Sequence, residues 1–322
     1  MAGVDGVEPG GEGLGRNRLL IVGQGLAGTL VGLEAERRGR DFVVVDEGAG
    51  DTATRAAAGL FNPLTGPRFT PDGKGWEKLV PFYRELEQRL GTELVHLLPL
   101  VRPLTGTKVG PEAFPQSAPG WSAELSSEKD AVRIEGGGWV DLPRLVDAAR
   151  TRWLASGPLE PRRFEEAEGR GQTVIWCGGM ADFTSSTWTS VPGVQGRWQA
   201  VRGDVLTVRI PGFNLDHGEV GPRFLLPLGA QRFRWGATHE SDVDDQTFRP
   251  DARNALEGWL SDRLNGKSFE VLDHRWGVRP ASRIRVPLIV THPDEPGWTL
   301  FNGFGGRGVA LVPRTLSQLP WD

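Results

Sequence analysis

Short apolar runs separated by glycine predict the elements at the start of the chain. The runs Leu19–Val22 and Phe42–Val45 are continuous and apolar, which is typical of buried strands. Between them, apolar residues including Leu26 and Leu30 recur at helical spacing, and Gly39 stands where a left-handed residue would end a helix. The pattern therefore predicts a strand, a short helix and a second strand.

Helical and strand patterns alternate along the rest of the chain. Helical spacing of apolar residues predicts helices over 76–90, after a capping residue at Asp141, and over about 251–264. The apolar run at 173–177 predicts another buried strand, and alternating apolar and polar positions within 201–238 predict antiparallel strands with one covered face. This mixture favours an α/β protein, α+β overall.

Three glycines mark the turn between the first strand and the first helix. Gly23 permits the tight turn, Gly25 lets the backbone approach a pyrophosphate, and Gly28 lets the helix pack closely on the strand. Free N–H groups at the helix start favour negative charge. Asp46 ends the second strand, where a carboxylate can accept hydrogen bonds from an adenosine ribose. The stretch predicts a Rossmann-type dinucleotide site.

A second glycine run lies near the C-terminus. A predicted strand there leads through the sequence NGFGGRG at 302–308 into an apolar helix. The start of that helix is a second place where backbone N–H groups could face a ligand.

Composition and charge narrow the function. The chain has 322 residues, a formal net charge of -4 and no sustained basic run, which disfavours a nonspecific nucleic-acid surface. No apolar stretch is long enough to span a membrane and no signal pattern opens the chain, so we expect a cytoplasmic protein. The glycine-rich segment 1–16 is expected to be a flexible extension.

Cysteine and histidine usage excludes several chemistries. A single cysteine, Cys177, rules out an internal disulfide and a cysteine-based zinc site, and the five histidines show no metal-ligand spacing, so no metal site is expected. Twelve Trp stand against one Tyr, so a mechanism that needs an active-site tyrosine has only Tyr83 available, in a predicted packing helix.

Four motifs, read in order, resemble those of the D-amino-acid-oxidase-like superfamily of FAD flavoenzymes. They are the glycine turn at 23–28, AAGLFNP at 57–63, GVRP at 277–280 and NGFGGRG at 302–308. The resemblance covers nearly all of 18–319. AAGLFNP looks more like the motif of D-amino acid oxidase, whereas GGRG at 305–308 looks most like that of the oxidase domain of a bifunctional protein that modifies wobble uridines in tRNA.

The resemblance implies two domains built from discontinuous segments. FAD, held noncovalently, would bind a Rossmann-type domain, and a mixed or antiparallel sheet would form the substrate domain. The expected FAD-binding segments are 17–75, 139–190 and 277–322, and the expected substrate segments are 76–138 and 191–276.

The resemblance also implies which residues contact the cofactor. The N-terminal turn would hold the pyrophosphate, the acid after the second strand would hold the ribose, and the remaining positions would lie near the flavin. The cofactor-binding residues expected in this way are Gly23, Gly25, Leu26, Ala27, Gly28, Asp46, Glu47, Ala57, Ala58, Gly59, Leu60, Gly178, Gly303, Gly305, Gly306, Arg307, Gly308 and Val309.

The reaction implied by the resemblance is hydride transfer from the carbon beside an amine to flavin N5, followed by imine hydrolysis and reoxidation by oxygen. The expected catalytic residues are Arg279, Arg307 and Phe224. Arg279 matches the arginine that binds substrate carboxylate, although an internal ion pair is an equal alternative from sequence. Phe224 falls where D-amino acid oxidase has a tyrosine, which disfavours a simple free D-amino acid as substrate.

Alternative functions remain open at this stage. One is removal of a carboxymethyl group from a modified tRNA base, suggested by GGRG at 305–308. Another is a catalytically silent FAD-binding subunit of a larger complex, and a third is a nicotinamide dehydrogenase, since the first glycine turn alone also fits NAD. The expected partner is a small amine or amino acid, with nucleic acid disfavoured and the oligomeric state undetermined.

Overall fold

A computed structural model describes residues 18–48, 52–66, 68–105, 116–127, 130–243, 245 and 247–321. The expected flexible extension at 1–16 lies outside these residues. Across the part of the chain that is described, no helix is long and apolar enough to cross a membrane.

The helices form where the sequence pattern predicts them, with several additional short ones. Gly91 ends α3 with φ of 64°, and Asp141 caps α4 by accepting a bond from the N–H of Arg144 at 3.1 Å. The helices are α1 Leu26–Arg37, α2 Ala53–Ala56, α3 Leu79–Leu90, α4 Leu142–Ser156, α5 Glu166–Gly169, α6 Met180–Thr184, α7 Ser186–Thr189, α8 Pro250–Arg263 and α9 Gly308–Thr315. Short 3-10 turns cover Trp76–Lys78, Gly305–Arg307 and Leu316–Gln318.

The strands divide between the two kinds of sheet that the sequence predicts. They are β1 Leu19–Val22, β2 Phe42–Val45, β3 Leu60–Phe61, β4 Leu64–Thr65, β5 Thr70–Pro71, β6 Val95–Leu97, β7 Leu100–Pro103, β8 Ser117–Ala118, β9 Trp121–Leu125, β10 Ala131–Glu135, β11 Gly138–Val140, β12 Leu159–Glu160, β13 Thr173–Trp176, β14 Trp198–Arg209, β15 Gly218–Val220, β16 Phe224–Gly229, β17 Arg232–Gly236, β18 Glu240–Ser241, β19 Glu270–Ser282, β20 Leu288–Thr291 and β21 Trp298–Asn302.

The first sheet is the Rossmann-type sheet. Its order is β12-β2-β1-β13-β21-β20, and all its pairings are parallel except β20 with β21. Its central strands β1, β2 and β21 are buried throughout, as expected for a sheet covered on both faces. Because β1, β13 and β21 run parallel side by side, the turns after Val22, Trp176 and Asn302 lie at one edge.

The second sheet is larger and mainly antiparallel. It runs β18-β14-β17-β16-β15-β7-β10-β9-β8, with β19 along the other side of β14 and a parallel pairing between β15 and β7. Helix α8 covers one face, where Leu256 and Leu260 pack against Leu206 and Trp235. The opposite face turns toward the first sheet. Two smaller sheets, β3-β11-β6 and β4-β5, lie beside these.

Strand β19 connects the two sheets. It pairs with β14 in the second sheet, and its end forms a bridge between Ala281 and Phe304 next to β21. The strand therefore crosses residue 277, where the sequence analysis places a domain boundary. The segment assignment of the two domains remains a prediction.

Candidate active site

The glycine turn after β1 is closed so tightly that side chains cannot enter it. A Cβ on Gly28 would lie 1.8 Å from the carbonyl oxygen of Gly23, and Gly23 itself has φ of 91°. Gly25 precedes α1 in extended conformation, so the helix begins with Leu26 and Ala27 in its first turn. The packing therefore requires glycine at positions 23 and 28, and the contact of the turn with a pyrophosphate stays a prediction.

A threonine that the sequence analysis missed faces the same turn. The Oγ1 of Thr54 accepts a hydrogen bond from the N–H of Leu26 at 3.0 Å. The same oxygen would lie 3.3 Å from a Cβ on Gly25. The hydroxyl of Thr54 is thus placed to donate to a phosphate at the start of α1.

Asp46 is held by three donors at the end of β2. Its Oδ2 accepts from the N–H of Gln24 at 2.8 Å, and its Oδ1 accepts from the N–H of Gly48 at 2.8 Å and from Nη1 of Arg150 at 2.9 Å. Oδ1 is saturated, which leaves Oδ2 with room for one ribose hydroxyl. Glu47 beside it is exposed. Arg150 was not predicted from sequence because α4 lies far from β2 along the chain.

A buried polar network ties together two turns at the same sheet edge. Oδ2 of Asp182 accepts from the N–H of Gly178 at 2.9 Å and from Nδ2 of Asn302 at 2.8 Å. Nδ2 of Asn302 also donates to the carbonyl of Gly179 at 2.8 Å, and its Oδ1 accepts from the N–H of Gly303 at 2.8 Å. Gly178 and Gly303 therefore have a fixed relative position.

Burial raises the pKa of Asp182 from 3.8 to about 7, against the lowering effect of the hydrogen bonds from Asn302 and Gly178. The folded protein thus keeps a proton that the unfolded chain releases near pH 4. The contribution of Asp182 to the free energy of unfolding is therefore greatest below that pH and falls as the pH rises toward about 7.

Replacing Asp182 by asparagine should remove this pH dependence. The amide oxygen still accepts from Gly178 and Asn302, but nothing titrates. Thermal or denaturant unfolding between pH 4 and 7.5 should show the wild type losing up to ~1.4 kcal/mol per pH unit relative to Asp182→Asn. If the free energies of unfolding of the wild type and Asp182→Asn differ by the same amount at every pH in this range, the raised pKa of Asp182 is wrong.

The C-terminal glycine turn leads into α9. Gly305 has φ of 56°, and Gly306 has open space where a Cβ would lie. Gly308 starts α9 and packs against the start of α1, since its Cβ would lie 3.2 Å from Cδ2 of Leu26. Val309 behind it is buried, and its carbonyl accepts from the hydroxyl of Tyr83 at 2.9 Å. Tyr83 is therefore a packing residue, as predicted.

The side chain of Arg307 is held on one side of this turn. Its Nη1 donates to Oδ1 of Asp72 at 3.1 Å, and its Nη2 donates to the carbonyl of Arg285 at 2.7 Å. Arg314 also donates to the carbonyl of Asp72. Burial raises the pKa of Asp72, while the two arginines lower it by a smaller amount. The predicted catalytic role of Arg307 stays a prediction, and the protein contacts of its guanidinium give it a structural role.

The segment Ala57, Ala58 and Gly59 lies between β19 and β11. A Cβ on Gly59 would lie 1.9 Å from the carbonyl of Val140, and the carbonyl of Gly59 accepts from the N–H of Val140 at 3.0 Å. Ala58 is buried and Leu60 starts β3. The tight packing fixes the path of this segment beside the second sheet.

Strand β19 contacts α2, which directly precedes Ala57, and the C-terminal glycine turn. A Cβ on Gly277 would lie 2.7 Å from Cα of Ala53 at the start of α2. Four residues later, Cβ of Ala281 would lie 3.2 Å from a Cβ on Gly305. Arg279 stands between these two contacts on the same strand.

Arg279 lies over a glycine and has no partner in the part of the chain that is described. Val201 pairs with Arg279 across β14 and β19, and a Cβ on the next glycine, Gly203, would lie 2.1 Å from Nη2 of Arg279. No hydrogen bond or ion pair joins the guanidinium to a described residue. Burial lowers the pKa of Arg279, and the carboxylate of Asp204 raises it. Among the described residues, Arg279 does not form the internal ion pair that the sequence left open.

Phe224 lies on the same face of the second sheet. It pairs with Gly236 on β17. A Cβ on Gly236 would lie 3.4 Å from Cζ of Phe224 and 3.1 Å from Cγ2 of Val205. Val205 and Gly203 lie two residues apart on β14 and therefore face the same side of the sheet. The ring of Phe224 and the guanidinium of Arg279 thus lie on one face of the second sheet. Arg223, in contrast, stacks on Trp259 at 3.3 Å on the other face and supplies no charge here. Arg68 is exposed.

His239 is a further residue that sequence reasoning missed. The pairing of Arg202 with Glu240 places His239 beside Gly203, on the edge of β14 opposite β19. Burial and then the charge of Arg279 lower the pKa of His239, so its imidazole is neutral at neutral pH. Only the register of β18, which depends on tertiary structure, brings it to Arg279.

Cys177 lies in the protein core, close to Asp182. Cys177 is buried, burial raises the pKa of its thiol well above the ordinary value, and Asp182 raises it further. A thiol held in this protonated state is a core residue rather than a nucleophile. Within the described residues, no cluster of histidine, cysteine and acidic side chains could hold a metal ion.

The glycine turn, the Rossmann-type sheet and the second sheet together define a dinucleotide-dependent oxidoreductase. The family model described as DAO, FAD dependent oxidoreductase, matches residues 18–315, and the chain belongs to this family. FAD is accordingly its cofactor. The predicted superfamily and fold class are both confirmed.

Comparisons with individual proteins agree with the family. Glycine oxidase from Geobacillus kaustophilus has a similar structure, with a TM-score of 0.73 and 18% identity over 94% of this chain and 93% of that one. Iminodiacetate oxidase (IdaA) from Chelativorans sp. BNC1 follows with a TM-score of 0.69 and 20% identity over 93% of each chain. Both likenesses show the fold.

A longer protein is similar to this chain in sequence over part of its length. It is the tRNA 5-methylaminomethyl-2-thiouridine biosynthesis bifunctional protein MnmC of Delftia acidovorans (strain DSM 14801 / SPH-1), 23% identical over 366 residues. The match covers 93% of this chain and 57% of the relative. The chain thus spans little more than half of that protein.

The described residues fit FAD. The turn at Gly23, Gly25 and Gly28 leaves a cradle that a Cβ would fill, Thr54 faces the start of α1, and Asp46 keeps one acceptor for a ribose. The individual cofactor contacts remain predictions.

Proposed function

We propose that the protein oxidises the C–N bond of an amine or amino acid. Bound FAD would supply the hydride acceptor at its N5 atom. The resulting imine would hydrolyse in water, and oxygen is the expected oxidant in the second half of the reaction. The chain's own contribution would be to hold the amine carbon in place and to exclude competing orientations.

The position of Arg279 is the observation that carries this proposal. Its guanidinium lies over Gly203, without a partner among the described residues, between the contacts of β19 with Ala53 and with Gly305. A planar guanidinium binds a carboxylate through two hydrogen bonds, which fixes both distance and orientation. The side chain therefore supports a substrate that carries a carboxylate near its amine.

The neighbours of Arg279 favour a small substrate. Phe224 offers an apolar ring and no hydroxyl, so the carboxylate would depend on Arg279 alone from this side. His239 is neutral beside the charged guanidinium and leaves the site a single positive charge. Glycine oxidase and iminodiacetate oxidase are named for small amines that carry carboxylates. We favour this class, primary or secondary, over larger D-amino acids.

Anaerobic titration with candidate amines tests the proposal. The purified protein should be yellow, and glycine, sarcosine, iminodiacetate or a related amine should bleach its flavin absorbance. Acid precipitation should release all of the FAD, because the single cysteine, Cys177, is buried in the core. A yellow protein that no amine bleaches would favour a silent FAD-binding subunit, and colour retained in the precipitate would contradict noncovalent binding.

A second candidate is oxidation of a carboxymethylaminomethyl group on a tRNA base. It rests on the similarity to MnmC and on the GGRG run at 305–308. Such a group is itself a secondary amine that bears a carboxylate, so Arg279 would serve it in the same way. Bleaching by tRNA that carries the modified base, with no bleaching by free amines, would favour this candidate.

A further inference from the structure

Two adjoining cavities lie beside the candidate active site. Their volumes are about 710 and 790 Å³, and Asp141, Arg144, Arg234 and Arg275 line both. Helix α4 forms one wall, and strands β16, β17 and β19 form the other. We call this pair of cavities the arginine groove.

The groove continues the sheet face that carries Phe224. On β17, Gly236 lies against Phe224. Arg234 and Arg232 stand two and four residues before Gly236, so they lie on the same face of the sheet. The backbone around Ala53 covers Gly277 between Arg279 and Arg275 on β19. The start of α2 therefore stands between the groove and the part of this face that holds Arg279.

Most charges in the groove are already paired. Nε of Arg275 lies 2.6 Å from Asp273, Nε of Arg152 lies 2.9 Å from Glu36, and Nε of Arg144 lies 3.7 Å from Asp141. Arg232 and Arg234 form no ion pair with any described residue. These two guanidinium groups are the uncompensated cations of the groove.

Arg234 is the more unusual of the two because it is half-buried. Burial lowers its pKa, and the charges of Asp141, Arg275 and Asp273 act on it from beyond ion-pair distance. Its Nη1 donates to the carbonyl of Ala58 at 3.2 Å, and its guanidinium lies 5.6 Å from the ring centre of Trp139. Most of its five N–H groups lack a described protein acceptor. An anion that accepts hydrogen bonds from such a partly buried guanidinium offsets the cost of its desolvation.

We propose that the arginine groove binds a small anion through its carboxylate or phosphate group, with Arg234 and Arg232 as the principal donors. This site is distinct from the carboxylate site at Arg279. Because Arg234 also holds the carbonyl of Ala58, which precedes Gly59 in the predicted flavin-facing segment, binding in the groove changes the surroundings of the flavin.

Calorimetric titration of the FAD-bound Arg279→Gln variant with inorganic phosphate and, separately, with acetate at constant ionic strength tests the proposal, because Arg279 in the wild type would itself bind acetate. We expect saturable binding of at least one of them at one site, with a small shift of the visible flavin spectrum. The tighter ligand identifies the anion as a phosphate or a carboxylate. Arg234→Gln should weaken binding roughly ten- to a hundredfold. Absence of saturable binding by either ion would overturn the proposal.

Variants at other arginines distinguish the groove from other sites. Arg279→Gln should bind phosphate like the wild type, and so should Arg263→Gln, which alters an exposed arginine of α8, on the opposite face of the sheet, whose Nε donates to Glu219 at 2.8 Å. Loss of binding in Arg279→Gln with binding retained in Arg234→Gln would place the anion at the active site and overturn the proposal. If Arg234→Gln does not fold, the test uses Arg232→Gln, which alters an exposed side chain. An anion affinity in Arg232→Gln equal to that of the wild type would then overturn the proposal.

Discussion

Replacing Arg279 by alanine should lower kcat/KM ten- to a hundredfold for an amine that carries a carboxylate. The reason is loss of a charge-assisted pair of hydrogen bonds, which contributes about 1.5 to 3 kcal/mol to transition-state binding. Stopped-flow reduction of the bound flavin by the substrate that bleaches it best, together with steady-state rates, measures the effect. For an amine without a carboxylate, the same substitution should change little.

Two further variants sharpen the test of Arg279. Arg279→Lys keeps the charge but loses the two-bond geometry, so its kcat/KM should fall between wild type and alanine. Gly203→Ala keeps the arginine but places a Cβ 2.1 Å from its Nη2, so it should mimic part of the loss by moving the guanidinium. An alanine variant that retains FAD and wild-type kcat/KM would remove Arg279 from the substrate site.

Gly28→Ala should abolish or severely weaken FAD binding. Its Cβ would lie 1.8 Å from the carbonyl oxygen of Gly23, so the turn must open and α1 must move away from β1. Overpacking of this kind costs about 1 to 3 kcal/mol or more, which corresponds to a roughly ten- to hundredfold or greater rise in the Kd for FAD. Flavin content after purification and fluorescence titration of the apoprotein measure it.

The control for Gly28→Ala is the same substitution at Gly258 in α8. A Cβ there meets nothing within 4 Å, and the backbone is already helical. Gly258→Ala should therefore retain full FAD content and gain slightly in stability from helix propensity. Equal FAD affinity in Gly28→Ala and the wild type would show that the turn does not hold the pyrophosphate.

The features that could be predicted from sequence are those set by local sterics. The turn at Gly23 and Gly28, the cap at Asp141 and the end of α3 at Gly91 each depend on a few neighbouring residues. Their positions follow from backbone conformations that only certain residues adopt without strain. The structure reproduces each of them.

The features that escaped prediction depend on contacts between distant parts of the chain. Arg150 reaches Asp46 across 104 residues, and Asp72 reaches Arg307 across 235. His239 meets Arg279 only through the register of β18, β14 and β19. Thr54 lies in a four-residue helix too short for a periodic signal. No local pattern encodes these pairings, because the packing of the whole fold selects them.

The contact between Gly308 and Leu26 has a consequence for biosynthesis. It joins the starts of α1 and α9, which belong to the first and last parts of the described chain. A nascent chain still lacking β21 and α9 has the pyrophosphate turn but neither the second helix start nor the bridge from Ala281 to Phe304. We therefore expect FAD to be enclosed only after β21 and α9 have been synthesised and have packed against β19 and α1.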